Sequence, residues 1–265
     1  MEITSNQNPR VKLWAQLLNK KHRDKQRKFL IEGIHLVQEA LAANTDIECI
    51  VYSIEQGLPA EIERSARDRL NVEWIGTTDA IIAKCSDTLT PQPIFAVIRK
   101  GSSHADELLN RKQALVVAVD GVQDPGNLGT IIRSADAVGA DGVVIGKGSV
   151  DLYNPKTIRA TMGSIFHLPI VEGDLAELLP LAKERGVHIV STSLQAERHC
   201  YSYDFNQSTW LLVGNEAKGV SAAASAWIDD AIIIPMHGEA ESLNVAMATS
   251  VLLYEALRQR HYGER

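Results

Sequence analysis

The sequence predicts an α/β protein with a mostly parallel sheet in its second half and a smaller α/β domain ahead of it. Three observations lead there. Near-continuous apolar strands alternate with helical patterns, as in a sheet covered on both faces. The 265 residues are enough for two ordinary domains. The segment Arg99–Ala105, RKGSSHA, is polar and small enough to be a linker. The expected division is residues 1–100, a linker at 101–112, and residues 113–265.

In the first domain, Asn8 to Lys20 reads as a helix, with Val11, Trp14, Leu17 and Leu18 on one face and Pro9 in the first turn. The strand FLIEG follows, then an amphipathic helix from Ile34 to Ala43. Ile47–Ser53 is a strand, Ala60–Leu70 a charged helix, Val72–Ile75 a strand, Asp79–Ala83 a short helix and Ile94–Ile98 a strand. The second domain shows strands at Leu115–Val119, Gly142–Ile145, His188–Thr192, Trp210–Val213 and Ala231–Ile234. Its helices include Leu128–Val138, Leu175–Arg185 and Leu243–Arg260.

A hydrophobic share of 45% with 23% charged residues suits a soluble protein with a sizeable core. Cys49, Cys85 and Cys200 are odd in number and far apart, with no metal-ligand spacing and no disulfide framework. They fit a reducing compartment. MEITSNQNPR lacks the apolar centre of a signal peptide, and no apolar run is long enough to span a bilayer. A cytoplasmic protein is expected.

The net charge of −6 is unevenly spread. Residues 1–30 hold eight Lys and Arg (Arg10, Lys12, Lys20, Lys21, Arg23, Lys25, Arg27, Lys28) against Glu2 and Asp24, a balance of +6 that leaves −12 elsewhere. Such a basic arm either meets phosphate or is a solvated helix face, and the charges alone leave both readings open.

Three turn-rich blocks follow strand ends in the second domain, where α/β sheets place ligands. In DGVQDPGNLGT, Pro125, Gly126 and Gly129 allow a close approach and Asn127 can cap the coming helix. Arg133 lies about 1.7 turns further on. An arginine just past such a helix start suits a phosphate or a developing oxyanion, although pairing with Asp136 is the plainer alternative. In LLVGNEAKGV, Glu216 follows a buried strand directly and stands near Gly214. In IIIPMHGEAESLNVA, Ser242 and Asn244 flank Leu243 where the last helix begins, as caps or as part of a site. The phosphate-loop pattern fails at Gly146-Lys147-Gly148, no G-x-G-x-x-G follows a strand, and no HExxH or comparable metal spacing occurs.

Together and in this order, DPGNLGTIIRSADAVGADGVV, LLVGNEAKGVS and IPMHGEAESLNVAMATSVLLYEALRQR resemble the SpoU (TrmH) family of RNA ribose 2′-O-methyltransferases in the SPOUT superfamily. NPRVK and KFLIEGIHLVQEAL resemble that family's substrate-binding domain, which is similar to ribosomal protein L30e. The resemblance implies a C-terminal domain with a deep trefoil knot, S-adenosylmethionine as methyl donor, and a homodimer with sites near its interface. It implies cofactor contacts at Gly214, Ile234 and Leu243, with Thr192 a weaker candidate, and a catalytic set of Asn127, Arg133, Glu216, Ser242 and Asn244. It implies RNA as substrate, ribosomal RNA ahead of tRNA, and neither metal nor membrane. A binding-only protein with a degenerate knot is the competing reading. Guanidinium stays protonated in proteins, so Arg133 is expected to stabilise the ribose alkoxide rather than take its proton. Pro93 and Ala246 depart from the family's pattern, outside the proposed set.

Overall fold

A computed structural model of the chain describes residues 1–66 and 72–263. They divide into two units: Met1–Gly101 with Asp151–His167, and Ser102–Val150 with Leu168–Arg265.

The first unit runs β1 (Glu2–Ile3), α1 (Pro9–Gln16), α2 (Lys20–Gln26), β2 (Lys28–Glu32), α3 (Ile34–Ala42), β3 (Ile47–Ser53), α4 (Ala60–Ala66), β4 (Glu73–Thr77), α5 (Asp79–Lys84) and β5 (Ile94–Arg99). Its sheet has the order β1-β4-β3-β5-β2. β4 runs parallel to β1 and β3, whereas β5 is antiparallel to β2 and β3. Alternation along β5 sends Phe95 and Val97 to a core with Val11, Trp14, Ile81 and Ile82. Ile94, Ala96 and Ile98 go to the opposite core with Val37, Leu41 and Ile62. Both faces are therefore buried, at about 1.5–3 kcal/mol per large apolar side chain. The helix expected over Asn8–Lys20 is two helices, because Asn19 caps a second one by accepting from the Lys21 N–H. The expected charged helix reaches Ala66, and its stretch from residue 67 to 70 lies outside the described residues.

The second unit adds α6 (Ala105–Leu109), β6 (Leu115–Asp120), α7 (Pro125–Ala137) and β7 (Gly142–Gly146). The chain then passes through α8 (Pro155–Thr161) in the first unit. There Ile158 joins the core beneath α3, and Asp151 takes the buried Arg23 guanidinium. The second unit resumes with β8 (Ile170–Gly173), α9 (Leu175–Glu184), β9 (His188–Thr192), β10 (Arg198–His199), β11 (Thr209–Gly214), α10 (Ala222–Ser225), β12 (Asp230–Ile233) and α11 (Val245–Tyr262). Its seven strands are ordered β10-β12-β9-β11-β6-β7-β8, and every pairing is parallel. Leu175, Leu178, Leu179 and Ala182 of α9 cover one face, over Trp210 and Leu212. α7 packs beside α11, where the Ser134 and Ser250 hydroxyls meet at 2.7 Å.

Within the first unit the basic arm's charges divide by use. Arg10 pairs with Glu73, Lys20 and Arg23 with Asp151, and Lys28 with Glu48. Lys12, Lys21, Lys25 and Arg27 are exposed. The chain's three cysteines are buried and unbridged. Burial pushes the Cys49 thiol up to about 11 and that of Cys85 to about 12, so neither is a nucleophile at neutral pH.

Candidate active site

Parallel pairing aligns the ends of the strands that carry the three blocks. Gly214 stands opposite Asp120 at the ends of β11 and β6, and Ile232 opposite Thr192 where β12 meets β9. The loops that follow share the carboxyl edge of the sheet, where those after β9, β11 and β12 enclose a cleft of about 390 Å³; the loop after β6, with Asn127, does not line it. Thr192, Gly214, Ile234 and Leu243, the four residues implied as cofactor contacts, all line it. So do Glu216, Ser242 and Asn244.

Gly214 is required by its own turn. A Cβ there would lie 2.3 Å from the Gly219 carbonyl carbon and 2.4 Å from the Val220 nitrogen. The backbones of Asn215 and Gly219 exchange two 2.9 Å hydrogen bonds across that turn. The Asn215 amide donates to the Gly121 carbonyl at 2.8 Å, tying this loop to the one after β6.

Glu216 extends the tie. Its Oε1 accepts from the Asn127 side-chain amide at 2.9 Å and from the Asp124 N–H at 3.2 Å, while Oε2 accepts from the Gln123 N–H at 3.1 Å. Burial alone would raise this carboxyl. The Asn127 amide and the backbone N–H groups at the start of α7 outweigh it and hold the carboxyl below its ordinary value.

A carboxylate that only accepts sets the direction of everything beyond it. Asn127 must turn its nitrogen to Glu216, so its oxygen accepts from the Asn244 amide at 3.0 Å. Asn244 must then turn its own oxygen to α11, where it accepts from the Ala246 and Met247 N–H groups at 2.9 and 3.3 Å. One directed chain of hydrogen bonds thus joins all three loops. Asn244 is thus the cap of α11, and it also lines the cleft and bonds to Asn127. Asn127 is not the cap of its helix; Asp124 fills that place by accepting from the Asn127 N–H at 2.9 Å. Ser242 is exposed at the cleft, outside the chain of bonds.

Arg133 stands apart. It is exposed on α7, does not line the cleft, and forms no ion pair among the described residues. The sequence did not single out Asn215, whose side-chain amide ties two loops, or Gln123 and Asp124, whose backbone N–H groups bind Glu216 and leave no residue pattern.

A seven-stranded parallel sheet with a cleft built from three carboxyl-end loops defines an α/β protein with a site for one small organic molecule. The chain belongs to the SpoU rRNA methylase family, whose model matches residues 114–254, and residues 8–96 match the MRM3-like substrate binding domain. It is 40% identical over 253 residues to the 23S rRNA (guanosine(2553)-2′-O)-methyltransferase RlmP of Bacillus subtilis, covering 96% of this chain and 98% of that protein. It is 33% identical to a 23S rRNA (uridine(2479)-2′-O)-methyltransferase of Streptomyces viridochromogenes, over 98% of this chain and 93% of the relative. The solved structure of the SpoU methyltransferase AviRb from the same organism, in complex with AdoMet, superimposes with a TM-score of 0.89 at 32% identity. That match covers 97% of this chain and 100% of the other.

Proposed function

We propose that the protein transfers a methyl group from S-adenosylmethionine to a ribose 2′-oxygen of RNA, with 23S ribosomal RNA as the substrate. The observation that carries this reading is the directed chain Glu216–Asn127–Asn244, whose two ends line the cleft. The cleft fits the cofactor in size and chemistry: it falls in the range of small-molecule sites, about 300–1,000 Å³. Ile234, Leu243 and Val213 offer apolar walls for an adenine ring, while Thr192, Ser193 and Asn244 offer polar groups for the rest. When bound, the cofactor supplies a methyl group activated on a sulfonium.

The chain's own residues then position and stabilise. Glu216 already accepts from three donors and its carboxyl is held low, so it is a poor proton acceptor. Its work is to hold the loops after β6 and β11 together and, through Asn127, to orient Asn244. Ser242 orients the ribose beside them. Arg133, which does not line the cleft of its own chain, holds an RNA phosphate and acts at the cleft of a second copy, where it stabilises the alkoxide that forms on the 2′-oxygen. The proton passes to the phosphate or to water.

We read the assembly as a homodimer. Met247, Val251 and Tyr254 are exposed and follow one another by four and three residues, an apolar stripe along α11 that Leu243, exposed just before the helix, extends. A second copy on this stripe lies beside the cleft, because the stripe begins at Leu243. Arg133 precedes Ser134, which touches α11 at Ser250, so it borders the same face. The reading includes the trefoil knot, with α11 tied at its far end by Arg260 to the carbonyls of Phe205, Gln207, Gln113 and Ala114. It also includes cytoplasmic work on ribosomal RNA; among the described residues no helix is long and apolar enough to cross a membrane. Arg133→Ala tests the assignment: methyl transfer should nearly vanish while calorimetry shows cofactor affinity within a few fold of wild type. Equal loss of both would overturn the role given to Arg133.

A further inference from the structure

Between α5 and β5 the loop Ser86–Gln92 carries Leu89 at its tip, fully in water at 103% relative exposure. One exposed leucine is ordinary; the scaffold beneath this one is not. The Ser86 and Thr88 hydroxyls donate to opposite oxygens of Glu32 on β2, at 2.7 and 2.8 Å. The Thr88 N–H donates to the Ser86 hydroxyl at 3.0 Å and the Gln92 N–H to Glu32 at 3.3 Å. On the far side the Gln92 side-chain oxygen accepts from the Ile34 N–H at 2.9 Å. That latch needs Gly33, whose φ is +107° and where a Cβ would lie 2.8 Å from the same oxygen. Arg159 of α8 grips Asp87 through both terminal nitrogens. The residues on both sides of Leu89 are thus held before any ligand arrives, which lowers the ordering cost of an interaction made at the tip.

We propose that Leu89 is an RNA-contacting residue, a preorganised apolar wedge that packs against an unstacked nucleobase of the substrate. The proposal rests on the RNA reading above and adds a contact outside the cleft. Its flanks are Asp87, Thr88, Thr90 and Gln92, too polar for the roughly 800 Å² per partner of a stable protein interface. One leucine is also too little to anchor a protein at a lipid surface. A single base matches the size of the tip, and the exposed Thr90 hydroxyl beside it can meet a base edge. RNA-binding proteins read splayed bases by stacking and edge contacts, and apolar side chains including leucine wedge between the bases of DNA. Charge favours the same occupant: the unit that carries the loop has a net charge of +2, against −8 for the other.

The test is binding of the full-length Leu89→Ala and Leu89→Asp variants to a 23S rRNA transcript over a range of salt concentrations. Calorimetric binding of S-adenosylmethionine and thermal melting serve as controls for the fold. Leu89→Ala should weaken RNA binding about tenfold, near the lower end of what burying a leucine side chain contributes. The slope against salt should not change, since no charge is removed. The KM for RNA should rise while kcat at saturating RNA stays within about twofold of wild type. Glu32→Ala should reduce RNA affinity similarly, and combining it with Leu89→Ala should add little, because both act through one tip. Wild-type affinity in both Leu89 variants would overturn the proposal and leave the methyltransferase reading standing. Failure of the wild-type protein to bind the transcript would overturn both.

Discussion

Asn127→Asp exchanges one nitrogen for oxygen at the centre of the hydrogen-bond chain and alters almost nothing in shape. The new oxygen faces Glu216 Oε1 across the 2.9 Å now spanned by a hydrogen bond. The other carboxylate oxygen still accepts from Asn244, so the damage is confined to one side. A hydrogen bond to a charged group contributes about 1.5–3 kcal/mol when sheltered. Glu216 is exposed, so screening reduces this to about 1–2 kcal/mol, or about 5- to 30-fold in rate. Two carboxylates at this distance cannot both stay ionised cheaply, and one of the pair has its pKa raised. A shared proton restores the missing bond. The bond is therefore intact below the raised pKa and broken as pH rises through it. Methyl transfer by the variant, taken as a ratio to wild type, should be lowest near pH 8 and recover towards pH 5.5, with wild-type melting at the acid end. A ratio near one at every pH, or a constant defect, would refute the directed chain.

Glu216, Asp229 and Glu255 have carboxyls held below their ordinary values by the donors around them. Their stabilisation is present above the unfolded pKa of about 4 and is lost as pH falls through the folded values; melting temperature should hold from pH 8 to 5 and drop below about pH 4. Arg260→Met strips four carbonyls of their shared donor, which should cost about 2–4 kcal/mol and lower Tm by about 5–10 °C; a Tm within 2 °C of wild type would show that these bonds do not tie down α11. Replacing Lys12, Lys21, Lys25 and Arg27 by Gln should reduce the salt slope of RNA binding by about 0.7–0.9 for each phosphate that is no longer neutralised. An unchanged slope would make those residues a solvated face.

The sheet of the second unit was legible because a parallel strand buried on both faces must be apolar throughout, as Leu115–Val119 and Leu211–Val213 are. Helix ends were less so: a single residue such as Asn19 breaks one pattern into two helices. Asp151–His167 looked like part of the second domain because it follows β7 directly. Its place in the first unit depends on Ile158 finding the core under α3 and on Asp151 meeting Arg23, and no local pattern encodes either. Of the candidate site, Glu216 stood out as a carboxylate after a strand and Asn127 and Asn244 as polar residues at helix starts, and the family resemblance grouped them. Their mutual order could not, since it arises from register: Gly214 opposite Asp120 brings Glu216 to the start of α7. The basic arm shows the opposite limit. Counting charges made it uniform, whereas four of its eight cations are committed to carboxylates within the first unit.

The most direct test is to incubate the purified protein with 23S ribosomal RNA and S-adenosylmethionine carrying a labelled methyl group, and to map the product nucleotide. Label is expected on the 2′-oxygen of one ribose, abolished by Arg133→Ala. Label on a base, or no transfer by a protein that binds both RNA and cofactor, would contradict the proposed methyl transfer.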